Sequence, residues 1–71
     1  MMDKTFLVKI ANTKMPFGKY KDYYLVDIPE HYIVWFKQQG FPSGELGLML
    51  ENIYEIKLNG LEPMIRKLRQ N

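Results

Sequence analysis

The sequence predicts a small α+β domain: a short N-terminal helix, a β-hairpin, then two to three helices packed on it. Three observations carry that expectation. Residues 14–24, KMPFGKYKDYY, set a proline and a glycine among aromatics that favour extended backbone. Two later segments are apolar with helical period, and each stops at a glycine, Gly40 and Gly60. At 71 residues without a cysteine, residues 1–71 read as one small domain that neither disulfides nor thiolate metal sites can staple. An aromatic content of 14% then points to dense aromatic packing around the core as the source of stability.

The first helix is expected from Asp3, a suitable N-cap, to about Asn12, with Phe6, Leu7, Ile10 and Ala11 on one face. Two short strands, 15–17 and 23–26, are expected to join through GKYKD, with Pro16 on an edge because it lacks an amide donor. The next helix opens with Asp27 or Ile28 at its cap, Pro29 at the first helical position and Glu30 where the dipole favours an anion. It ends at a left-handed Gly40, with Phe41 folding back on the last turn. Ile33, Phe36 and Tyr32 share its inward face and Trp35 sits at the edge.

Ser43 is expected to cap the following helix, whose stripe is Leu46, Met49, Leu50, Ile53 and Ile56, widened by Tyr54 and Leu58. So wide an arc marks the central helix. A last short helix starts near Pro63, with Met64, Ile65 and Leu68 inward and Arg66, Lys67 and Arg69 outward.

The net charge of +2 does not imply a nucleic-acid partner, but its distribution is uneven. Residues 1–21 carry +4, residues 22–55 carry −5 and residues 56–71 carry +3. If the ends lie together, the molecule has a positive face. No segment approaches the ~20 apolar residues of a membrane helix, and FLV before Lys9 is too short for a signal peptide. A cytoplasmic protein without a membrane partner is the expectation.

Catalysis is not expected. The single histidine, His31, lies in the first turn of a helix, where it reads as a surface residue without a partner for general-base work. The single serine, Ser43, reads as a cap. Asp27, Glu30 and His31 make too poor a ligand set for a metal, and no cofactor is called for. Lys57 stands in the middle of the apolar stripe, in the last turn, where the dipole favours a cation and its long stem can reach water. If the helix instead runs under the hairpin, its ammonium needs a partner, Asp27 or Glu62, and pins helix to hairpin.

In order along the chain, MPFGKYK, LVDIP, HYIVWF, GFPSGELG and YEIKLNGLE resemble the small bacterial proteins described as putative quorum-sensing-regulated virulence factors. The resemblance runs over residues 6–69, and that family has no defined molecular activity. Met15 to Phe36 is also similar to the C-terminal module of exodeoxyribonuclease X-like proteins, where a PFGK-type hairpin and a Y-x-x-W helix accompany a nuclease domain. This chain has no counterpart of that nuclease domain. It also departs from the first family at Asp22, where glycine is usual; the carboxylate beside Lys19 and Lys21 weakens any anion site at the turn.

PFGKYK is not a phosphate loop, because it has one glycine and loses an amide at Pro16. Anion contact would have to come from Lys14, Lys19 and Lys21, with Phe17 or Tyr20 stacking on a base. The structural alternative has Phe17 and one tyrosine packed on the helices and the lysines solvated. The leading expectation is a non-enzymatic accessory module making weak nucleic-acid contact through Lys14, Phe17, Lys19, Tyr20 and Lys21, with Arg66 and Arg69. The alternative is a protein-interaction adaptor or regulator that uses the edge bearing His31 and Trp35, although a tryptophan in so small a domain is first expected to anchor the core. The oligomeric state is left open.

Overall fold

The computed structural model describes residues 3–70. It contains four α-helices: α1 (Lys4–Ala11), α2 (Glu30–Gln39), α3 (Gly44–Leu58) and α4 (Glu62–Arg66), with a 3-10 turn at Leu25–Asp27 ahead of α2. Asp3 caps α1 by accepting a hydrogen bond from the Phe6 amide at 2.8 Å, and Asn12 closes it. Pro29 is the N-cap of α2 rather than its first helical residue, so the helix starts one residue later than expected and neither Asp27 nor Ile28 caps it. Ser43 occupies the N-cap of α3 in extended backbone, but its hydroxyl makes no capping hydrogen bond.

The expected β-hairpin is absent, and the fold is helical rather than α+β. Between Thr13 and Leu25 the two arms approach closely, yet among the described residues the only β-pairing is the single bridge Lys14–Tyr24. The hydrogen bonds explain why. Met15 donates to Tyr23 O (2.8 Å) while Met15 O accepts from Asp22 N (2.8 Å), so two residues oppose one. That is a glycine-type bulge with Asp22 at its left-handed position, φ 72°. Beyond it Pro16 has no amide to donate, and on the other side the chain turns into the 3-10 segment at Leu25. Aromatic β-propensity is thus spent on a bulged loop.

The core is aliphatic, which corrects the expected aromatic core. Ile10, Leu25, Ile28, Ile33, Leu50 and Ile53 are fully buried, while the aromatics reach it only from its margin. α3 packs on α2 and on the 3-10 turn, and α1 packs on α4 and on the same turn. Leu58 and Met64, expected inward, are exposed; Ile65 alone of α4 is buried.

Two glycines set the path of α3. A Cβ on Gly47 would lie 1.7 Å from the Pro42 carbonyl oxygen, so only glycine lets the chain before the helix cross it this closely. At its other end Leu61 N donates to Ile56 O (3.0 Å) and Gly60 N to Lys57 O (3.2 Å), a Schellman close with Gly60 left-handed. Gly40 ends α2 differently, at φ 100° and ψ 118°, although Phe41 does fold back onto Phe36, with ring centroids 5.5 Å apart.

Candidate functional site

The 14–24 loop and α2 together present a row of aromatic rings. Tyr23 meets Tyr20 edge-on at 5.2 Å, Tyr20 meets Tyr32 at 4.7 Å, and Tyr32 meets Trp35 at 5.5 Å. Such contacts fix each ring's orientation and contribute about 0.5–1.5 kcal/mol apiece beyond area burial. Tyr20 and Tyr32 are half-buried in the middle of the row; Tyr23 and Trp35 at its ends are each 50% exposed. Trp35 is therefore not the core anchor the sequence suggested. Its position on α2 faces away from the aliphatic centre, which Ile33 occupies. Phe17 is 46% exposed at the loop tip, where a Cβ on neighbouring Gly18 would stand 3.6 Å from the Tyr32 hydroxyl. The loop tip thus leans on α2. Of the loop aromatics offered as packing candidates, Tyr20 packs and Phe17 does not.

The loop lysines are exposed and differ from Lys9, Lys37, Lys57, Arg66 and Arg69, each of which forms an ion pair. Lys9 pairs with Glu45 at 2.7 Å and Lys37 with Glu51 at 2.6 Å, joining α1 and α2 to α3. Among the described residues, no carboxylate pairs with Lys14, Lys19 or Lys21. Lys14 and Lys19 lie instead over the rings of Tyr24 (5.2 Å) and Tyr20 (5.6 Å), contacts that leave an ammonium open to solvent and to anions.

Arg66 and Arg69, expected to point outward as anion contacts, are engaged within the fold. Arg66 donates to Asp27 Oδ1 at 3.1 Å through both Nε and Nη2, and Arg69 donates to Asp27 Oδ2 at 3.2 Å. The Arg69 guanidinium also lies 3.9 Å from the centre of the Tyr24 ring, the ring that Lys14 approaches at 5.2 Å. Asn12 completes the clasp: its amide donates to Leu68 O (3.1 Å) and its carbonyl accepts from Gln70 N (2.8 Å). The basic chain ends therefore do lie together, beside the loop, and Asp27 neutralises part of the resulting positive face.

Lys57 is buried, at 7% exposure, so of the two alternatives its stem does not carry the ammonium out to water. Its main partner is neither carboxylate foreseen. It donates to the Val26 carbonyl at 2.8 Å, with Glu62 at 3.9 Å, and so ties α3 to the 3-10 turn rather than to a hairpin. Burial pushes its pKa below the ordinary lysine value, and nearby Glu62 partly offsets this. His31 is exposed on α2. No group of three or more metal-ligating side chains occurs among the described residues. No helix among them is long and apolar enough to cross a membrane.

Two features of this surface escaped the sequence reading. One is the Asp27 clasp, which joins residues some forty positions apart. The other is the continuity of loop and α2 aromatics through Tyr32, which unites residues first assigned to two different sites. A signal existed for the second: Tyr32 and Trp35 are three apart on a helix, so they share a face.

Comparison with known proteins agrees with the motif order read along the chain. The E. coli K12 protein named "Uncharacterized protein YpeB" is 44% identical over 70 residues, covering 97% of each chain. Its counterpart in E. coli O157:H7 matches to the same extent. No solved structure matches significantly. The family model described as "Putative quorum-sensing-regulated virulence factor" matches residues 3–68, and the chain belongs to that family.

Proposed function

We propose that this protein is a non-enzymatic accessory module that contacts nucleic acid weakly through the 14–24 loop. The observation that supports this reading is the set of three exposed lysines, Lys14, Lys19 and Lys21, that pair with no carboxylate among the described residues and stand beside exposed rings. Three unpaired ammonium groups on one loop match the demand of a phosphate backbone, which is charge without fixed geometry. Arg66 and Arg69 contribute less than the sequence suggested, because Asp27 already holds both.

The test is fluorescence anisotropy of labelled single- and double-stranded DNA and RNA at ~50 and ~200 mM salt. Binding should weaken steeply with salt. A Lys14/Lys19/Lys21→Ala variant that still folds should lower the log–log salt slope by about 2–3. Absence of binding at the lower salt rejects the reading.

The exposure of Trp35 favours a second reading, a protein-interaction adaptor using the edge that carries His31 and Trp35. Association with a protein that is insensitive to salt would support it against the first.

A further inference from the structure

We infer that the nucleic acid taken by this surface is single-stranded, with bases stacked on Trp35 and Tyr23 and phosphates met by Lys19 and Lys21. The inference rests on the nucleic-acid reading above and names its substrate class. Its ground is the juxtaposition of two residue sets that lie apart in sequence. The ring contacts Tyr23–Tyr20–Tyr32–Trp35 make one continuous row across the loop and α2. Inner rings are half-buried and hold their places, while the end rings are half-exposed. Within the loop four aromatics alternate with three lysines, and Asp22 is the single carboxylate.

A duplex hides its base faces and presents phosphates; a single strand presents both. Alternating ring faces and ammonium groups therefore suit the single strand, whose bases can each stack on any aromatic face. A duplex would leave Trp35 and Tyr23 exposed and unused. Charge complementarity argues against a cationic or purely apolar occupant of the same row.

The chain contains one tryptophan, so its emission reports directly on Trp35. Oligo(dT) of about 12 nucleotides, within the site sizes of single-strand binders, should quench it saturably, and the same length of duplex should bind more weakly and quench less. Trp35→Leu keeps apolar bulk but removes the ring face, and Trp35→Phe keeps a ring. Measured by anisotropy, Trp35→Leu and Tyr23→Leu should each lose about five-fold or more in affinity, and Trp35→Phe should retain most of it.

The inference is overturned, with the nucleic-acid reading intact, if duplex and single strand bind equally. Unchanged affinity in both leucine variants, when the triple lysine variant does weaken binding, overturns it in the same way. If no nucleic acid binds at all, both readings fall. A concentration-dependent change in tryptophan emission without oligonucleotide, matched by dimer in sedimentation, would assign the row to a second copy of the chain instead.

Discussion

Lys57 shows how a charged side chain survives within an apolar stripe. Its stem is buried while its ammonium finds the Val26 carbonyl, with the Arg66 guanidinium 3.5 Å from the same oxygen. Removing the charge but keeping the stem, as in Lys57→Met, should change stability by less than about 1 kcal/mol near neutral pH, because lost hydrogen bonding and relieved desolvation oppose each other. Lys57→Ala should cost about 2–3 kcal/mol, since it also leaves a cavity. The sign of the pH dependence follows from burial, which holds the folded pKa below the ordinary value of 10.5. The unfolded chain therefore keeps this proton to higher pH than the folded one. Stability contributed by the difference is fully present above 10.5 and is lost as pH falls through the folded value. Urea titrations of wild type and Lys57→Met should thus diverge in favour of the wild type as pH rises toward 10.5; a constant gap would contradict the assigned cause. Asp22 is the second telling residue. At φ 72° it pays a left-handed penalty that glycine would avoid, set against glycine's larger entropy loss. Asp22→Gly should hold or raise stability by up to about 1 kcal/mol, and Asp22→Val should lower it by about 1–2 kcal/mol, read from thermal melts.

The elements are placed by a few close approaches. α3 can run past the Phe41–Pro42 segment only because Gly47 has no side chain. In an exposed helix interior, glycine to alanine would stabilise by about 1 kcal/mol. Here Gly47→Ala should destabilise by at least about 2 kcal/mol, because backbone, not a flexible side chain, stands 1.7 Å from the new Cβ. Circular dichroism melts would check the sign. The bulged loop illustrates the opposite limit, where strand preference is cut short by its own neighbours along the chain. Its aromatics favour strand, but the bulge at Asp22, the missing amide of Pro16 and the 3-10 segment at Leu25 stop the ladder from extending. The helices instead offer Tyr32 to the loop tip, and one bridge suffices to close it.

Taken as a whole, the molecule closes around a shared hub. The 3-10 turn touches α1, α3 and α4, and its Val26 and Asp27 receive Lys57, Arg66 and Arg69. A radius of gyration of 11.1 Å is what a compact chain of this length should have. Exposed ion pairs contribute little individually, about 0–1 kcal/mol, but this clasp combines two guanidiniums on one carboxylate. Asp27→Asn should therefore lower stability by about 1–2 kcal/mol and accelerate amide exchange at Leu68 and Arg69. On the proposed function, the same substitution frees two guanidiniums on the positive face. Affinity for oligonucleotides should rise, with a steeper salt slope, even as stability falls; a drop in affinity would show that the clasp positions the surface rather than neutralising it.

Helix positions were legible along the chain because their determinants are local: Asp3 at a cap, Pro29 and Gly40 around α2, apolar residues at helical spacing through α3. The place of Lys57 on the apolar stripe was legible too, since the helical period put it among Ile53 and Leu50, but whether its ammonium reached water or a buried partner depended on what packs over the last turn of α3. The fate of residues 14–24 was not, because strand and bulged loop share the same propensities and differ only in what packs against them. Nor was the exposure of Trp35, which depends on whether aliphatic side chains from four other elements already fill the centre. Caps, periods and glycine stops are read within a few residues. Which ring faces water, and which arginine is already held, is decided by contacts between residues tens of positions apart.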